Sequence, residues 1–223
     1  MSQEIQITEN KMPTMVELYE NPELKLKQDQ MQHYLNMAPP EKWVKLHPFI
    51  SGYKYLPIDK VEYLLKKIYK KFNVEIKTVG TAFNGVYVTI RLHYRDLVTG
   101  EMEFQDGVGA IQLQTAKGTS PADLANINNG ALSMAFPLAK TIAIKDAADM
   151  LGDIFGANLN RKDVMAYQMD TKLLDHVKSK EEQRMLILIE SCASQDELEK
   201  LRSHLTEEIK PQFEQKWEEL QQN

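Results

Sequence analysis

Lysines set among aromatic side chains are the most legible chemistry in this sequence. Between Trp43 and Tyr55 the rings of Trp43, His47, Phe49, Tyr53 and Tyr55 interleave with Lys42, Lys45 and Lys54. Rings in this arrangement can stack on unpaired bases while the ammonium groups between them meet phosphates. The same rings also suit a packed domain edge, where aromatic side chains are usually buried. A second grouping is acidic: Asp146, Asp149 and Asp153 recur at three and four residues, the spacing of helical neighbours. Carboxylates gathered this way can hold a divalent cation and, with Asp106, could serve metal-dependent hydrolysis. Intrahelical pairing of Lys145 with Asp149 accounts for them without a metal. Other chemistries find no support. The chain has no G-x-x-x-x-G-K-[ST] loop, no H-E-x-x-H and no G-x-S-x-G, and its five histidines stand singly at 33, 47, 93, 176 and 204. A single cysteine, Cys192, excludes a disulfide framework within the chain and fits a reducing compartment.

Net charge is −5 over 223 residues, but it is distributed unevenly. Residues 1–40 carry 3 basic and 6 acidic groups, 41–95 carry 11 and 4, 96–163 carry 5 and 9, and 164–223 carry 8 and 13. A basic centre inside an acidic chain suggests a local anion-binding surface, although lysines covering one solvated helix face would give the same count. No apolar run approaches the ~18 residues of a membrane span. The first ten residues, MSQEIQITEN, have neither a basic start nor an apolar signal core, so a soluble cytoplasmic protein is expected.

The elements that must position these groups follow from periodicity. Residues 1–40 read as a polar extension, with a helix around Met15–Leu18 interrupted at Asn21-Pro22, a second over Lys27–Asn36, and a boundary at Pro39-Pro40. Asp59 and Glu62 form a D-x-x-E capping box for a helix whose stripe is Ile58, Val61, Leu64, Leu65, Ile68 and Phe72, with Lys60, Lys66, Lys67, Lys70 and Lys71 outward. From Val74 the period becomes two, Asn84-Gly85 turns the chain, and residues 86–95 alternate without a fault. Pairing Tyr94 with Met102 and Leu92 with Phe104 keeps the apolar residues on one face. That register sets Arg95 opposite Glu101 and His93 opposite Glu103. It leaves Arg91 opposite Gln105, without an acid and so available to phosphate. A further strand, Ala110–Thr115, leads into the loop from Lys117 to Pro121.

Residues 128–160 read as one long helix, with Ser133 and Pro137 as start signals and Gly156 at its end. Leu138, Ile142, Leu151 and Phe155 give it an apolar face with Ala147, Ala148 and Ile154, and its small residues allow close approach to a sheet. Residues 164–223 form an acidic helical tail, with a Ser194–Glu197 capping box and another helix starting at Pro211. The fold predicted is α+β: an antiparallel sheet of three to four strands covered by a long helix, in the order strand, helix, three strands, helix, with a helical C-terminal appendage.

Taken in order, YKYLPIDKVEYLLKKIYKKFNVEI, the hairpin ending QDGVGAIQLQ and KDAADMLGDIFGANLNRKD resemble the Rad-fifty-two-like single-strand annealing superfamily. The likeness is to its phage Sak-type recombinases in particular, and it spans residues 40–163. It implies an annealing core over 41–163 that binds single-stranded DNA without ATP, enzymatic activity or cofactor, and that assembles into a ring or helical arc for homologous recombination. By resemblance Lys54 lies on the strand that runs into the DNA groove, Lys60 at the start of the first helix, and Lys117 beyond the last strand. The sequence departs from the better-known eukaryotic members, which carry a basic cluster before the Phe155-Gly156 pair; here Asp149, Met150 and Asp153 stand in those places. The groove's cations must then come from Lys140, Lys145, Arg161, Lys162 or the first helix with its Lys67, and Arg95 joins Arg91 on the polar strand face. The tail is expected to recruit a partner such as a single-strand-binding protein or an exonuclease. Two rival readings are a metal-dependent nuclease built on Asp106, Asp146, Asp149 or Asp153, and a structural phage or host interaction protein that binds no nucleic acid.

Overall fold

A computed structural model describes residues 14–48, 50–120 and 122–221; Phe49 of the aromatic segment and Pro121 of the following loop lie outside them. The chain divides into two units, one running from Lys27 to Met169, the other joining the described residues up to Leu26 with those from Asp170 onward. Sequence reasoning set boundaries at 40/41 and 163/164. The division near the N-terminus falls instead within α1 (Pro22–Leu35), a single continuous helix. The break expected at Asn21-Pro22 stands just before it: residues 15–18 form turns only, the Asn21 Oδ1 accepts the Leu24 N–H at 2.9 Å, and Pro22 takes the first helical position, where no donor is needed.

The larger unit is built on an antiparallel sheet of β3 (Phe72–Ala82), β4 (Gly85–Arg95) and β5 (Met102–Gln112), in that spatial order. The short strands β1 (Lys45–Leu46) and β2 (Lys54–Tyr55) pair separately as a hairpin. Between hairpin and sheet runs α2 (Ile58–Tyr69), and after the sheet comes α3 (Ala131–Asp149). This is the α+β architecture expected, with three long strands, since Ala110–Gln112 is the end of β5 and Thr115 keeps only an isolated bridge to Ile127. The β3–β4 turn is Phe83-Asn84, and Gly85 already belongs to β4.

The core lies between the sheet and the two helices. Val86, Val88, Ile90 and Leu92 of the central strand are buried together with Val61, Leu64, Leu65 and Ile68 of α2. α3 crosses β4 and β5 at very short range. A Cβ added to Gly107 would come within 2.1 Å of the Ala143 carbonyl oxygen, and one added to Gly109 within 2.0 Å of the Ala139 oxygen. Backbone thus meets helix directly, with Ala139, Ala143 and Ala147 fully buried in the contact.

This contact decides the sheet register. Ile90 pairs with Gly107 and Val88 with Gly109, so Leu92 faces Gln105 and His93 faces Phe104. The expected pairing of Leu92 with Phe104 is off by one residue, and a one-residue slip moves every β5 side chain to the other face. Counting apolar residues favoured placing Phe104 and Met102 inside. The helix instead requires the glycines there, and Phe104 and Met102 lie on the open face.

Two further expectations are corrected. Asp59 does not cap α2: Pro57 holds the N-cap position without a side-chain bond, and the Asp59 carboxylate pairs with Lys60 at 3.0 Å. The helix expected over 128–160 ends at Asp149. Gly152 takes φ +146°, and a Cβ there would lie 2.4 Å from the Leu35 carbonyl oxygen, so the chain breaks to let the end of α1 approach. A short 3-10 turn, Asp153–Phe155, follows, with Leu151, Ile154 and Phe155 buried as expected. The buried face of α3 is made of alanines and Ile144, whereas Leu138 and Ile142 are 42% and 39% exposed.

In the second unit α4 (Thr171–Ser191) is capped by Asp170, whose Oδ1 accepts the Leu173 N–H at 3.1 Å. Ser194 caps α5 (Gln195–Glu199) by accepting the Glu197 N–H at 3.3 Å, and the Glu197 carboxylate accepts the Ala193 N–H at 3.0 Å. With α6 (Lys210–Gln221) these helices bury Ile189, Leu198, Ile209 and Phe213, while Val16 and Leu26 pack with Leu173 and Val177. No helix among the described residues is long and apolar enough to cross a membrane.

Candidate nucleic-acid interface

The hairpin β1–β2 is held by its own rings and by one distant side chain. The His47 N–H donates to the Tyr53 carbonyl at 2.7 Å, and the imidazole meets Tyr53 and Tyr55 edge-on at 6.0 and 6.1 Å between centroids. On the outer edge of β2 the Asn160 amide bonds both ways with the Lys54 backbone: its Oδ1 accepts the Lys54 N–H and its Nδ2 donates to the Lys54 carbonyl, each at 2.7 Å. Asn160 thereby stands in for a missing neighbouring strand and fixes the hairpin beside α3.

Between the hairpin, the C-terminal half of α3 and the segment ending at Asn160 lies a cleft of about 430 Å³. Its lining includes Tyr53, Lys54, Tyr55, Ile142, Lys145 and Asp149. The Lys145 Nζ sits 5.1 Å from the centroid of the Tyr55 ring, a cation–π arrangement inside a half-buried site. Burial holds the Lys145 ammonium below its ordinary pKa, with Asp149 opposing the shift. Burial likewise pushes the Asp149 carboxyl up to about 6, Lys145 opposing and Asp146 adding to it. Asp146 has a structural partner of its own, since its carboxylate accepts the Val108 N–H on the free edge of β5 at 2.9 Å.

The structure brings Lys54 and Lys145 to one site and sets the other sequence candidates elsewhere. Lys60 and Lys67 lie on α2, outside the cleft lining, beside Trp43 and Tyr63. Lys140 is exposed on α3 and Lys117 in the loop after β5, while Arg161 and Lys162 are exposed directly after Asn160. Arg91 and Arg95 are on the open face of the sheet. The reading of Arg91 as free of a cross-strand acid is overturned: it faces Asp106 and holds its carboxylate through Nε at 2.7 Å and Nη2 at 2.8 Å, with the guanidinium 3.9 Å from the Phe104 ring centroid. Each partner moves the other's pKa, that of Asp106 down and that of Arg91 up, chiefly through these hydrogen bonds. Arg95 stands opposite Met102, not Glu101.

Of the four acidic residues only Asp146 and Asp149 share a site, both lining the cleft. Asp106 is committed on the far face of the sheet, Asp146 and Asp149 end α3, and Asp153 lies beyond the break, accepting from the Asn158 amide. Among the described residues no group of three His, Cys, Asp or Glu is placed to hold a metal ion. Asn160 and Tyr63 are the residues sequence reasoning passed over. Asn160 carried no local signal, because its partner is 106 residues away. Tyr63 carried one: a ring at an outward position of a helix that needs none there. Compared with known proteins, the sequence matches no family model and no curated protein.

Proposed function

We propose that this protein binds single-stranded DNA in the cleft beside α3 and anneals it to a complementary strand without ATP, acting in the cytoplasm as a large homo-oligomer. The observation that carries this reading is the pairing of two cations, Lys54 and Lys145, with the rings of Tyr53 and Tyr55 in one cleft. Phosphates need cations and unpaired bases need flat rings, and a half-buried ammonium attracts a phosphate more strongly than a solvated one. Neutralising the backbone of one strand removes its repulsion for the second, and pairing itself is left to the bases. The order of hairpin, α2, three strands and α3 agrees with the annealing fold that the sequence resembles. Exposed Met134 and Leu138, one turn apart on α3 and outside the cleft lining, offer apolar surface for self-assembly. The acidic tail would recruit a single-strand-binding protein or an exonuclease.

Fluorescence anisotropy with a labelled oligonucleotide, read across salt concentration, tests the cleft. Lys54→Ala and Lys145→Ala should each weaken binding and reduce the log–log salt slope by about 0.7, the value for one phosphate of a single strand. Arg91→Ala, already neutralised by Asp106, and Lys200→Ala in the tail should leave the slope unchanged. Equal effects from all four would mean that only bulk charge matters. In the same buffer with magnesium, complementary strands should pair and stay intact; shortened strands would favour the nuclease reading.

A further inference from the structure

On the outward side of α2, Trp43 and Tyr63 meet edge-on, with ring centroids 5.6 Å apart and planes at 88°. The Lys60 Nζ lies 5.9 Å from the indole centroid, where it also meets the exposed Asp59 carboxylate at 3.0 Å, a solvated pair that phosphate can replace, and the Lys67 Nζ lies 5.8 Å from the phenol centroid. The order along the surface is therefore cation, ring, ring, cation. Tyr63 is 48% exposed, while its helix neighbours Val61, Leu64 and Leu65 are buried. The core therefore does not require a ring at this position. The surroundings are cationic: residues 58–71 carry five lysines, at 60, 66, 67, 70 and 71, against Asp59 and Glu62. Helical rise places Lys60 and Lys67 about 10 Å apart along the axis, bracketing the one open ring.

We propose that Trp43, Tyr63, Lys60 and Lys67 form a second single-stranded DNA contact, separate from the cleft, in which Tyr63 stacks on an unpaired base and the two ammonium groups take the flanking phosphates. The inference rests on the nucleic-acid reading given above and adds a base-contacting residue to it. Charge complementarity selects the ligand, because an open ring among lysines suits a strand that offers anions and π-faces together.

The test uses the full chain and two oligonucleotides of equal length and charge, oligothymidine and an abasic analogue. Tyr63→Ala should weaken oligothymidine binding about tenfold, the scale of one lost base stack, and leave the abasic analogue unaffected. Tyr63→Leu, which keeps apolar bulk without a ring, should behave like alanine, and Tyr63→Phe like the parent. The chain has two tryptophans, so in a Trp217→Phe background Trp43 becomes the sole indole reporter, and oligothymidine should quench it more than the abasic strand does. Equal losses on both oligonucleotides, or no loss with Tyr63→Ala, overturn the proposal. So does a change in oligomer mass with unchanged DNA affinity, which would make the patch a subunit contact. If Lys145→Ala weakens binding while Tyr63→Ala does not, this inference alone falls. If the parent protein binds neither strand, the nucleic-acid reading falls with it.

Discussion

Asp149 and Lys145 lie one helical turn apart on α3, and burial works against the charge on each. A carboxyl whose pKa rises on folding holds its proton longer in the native state than in the unfolded one. Stability therefore falls as pH rises from about 4 to about 6, and above that range the native state carries the full penalty of a half-buried carboxylate. Asp149→Asn should accordingly raise stability by about 1 kcal/mol at pH 8, a figure reduced for partial exposure, and the gain should vanish toward pH 4. Urea denaturation at the two pH values measures it. A variant less stable at pH 8 would mean that the carboxylate repays its burial through Lys145. The same substitution removes an anion from the cleft, so oligonucleotide affinity at pH 8 should rise with it.

At the scale of elements, the approach of α3 to β5 organises the larger unit. Gly109→Ala would drive a methyl group into the Ala139 carbonyl, and the helix or the strand must move. A loss of about 3 kcal/mol is expected, at the upper end of overpacking effects, against less than about 1 kcal/mol for Val108→Ala on the open face. Chemical denaturation of the two variants checks the difference, and similar values would mean that the contact yields easily. These elements were unequally legible in the sequence. The stripe of α2 and the alternation of β4 were plain because each is a local period matched to one buried face. The end of α3 was not, because it depends on the Leu35 carbonyl meeting Gly152 across more than a hundred residues. The β5 register was misread for a related reason. Apolar count placed Phe104 inside, but the Arg91 guanidinium covers that ring on the open face and the helix takes the glycines. Of the candidate site, Lys54 and Lys145 were visible as residue types, whereas their convergence required the hairpin anchor at Asn160.

For the whole molecule, the two units suggest a separable tail. A chain ending at Met169 loses the acidic helices and leaves Val16 and Leu26 without Leu173 and Val177, while the core that includes Leu35 is untouched. Such a chain should bind naked oligonucleotides as well as the parent, and slightly better at low salt, where the removed negative charge is least screened. Annealing of strands already coated by a single-strand-binding protein should suffer instead. A folded truncated chain that fails to bind naked strands would place part of the binding surface in the tail.

The Asn160 amide gives the hairpin a clock. Because both polar groups of the Lys54 backbone are satisfied by one side chain, β2 can release from its anchor in a single local event without unfolding of the sheet. Hydrogen exchange at the Lys54 amide should therefore be slow although the residue is exposed, and should quicken by about tenfold or more in Asn160→Asp, where a donor is lost and the loop gains a charge. Unchanged exchange would show that the strand is held elsewhere. Under the proposed function, an oligonucleotide held in the cleft should also leave Asn160→Asp faster than the parent.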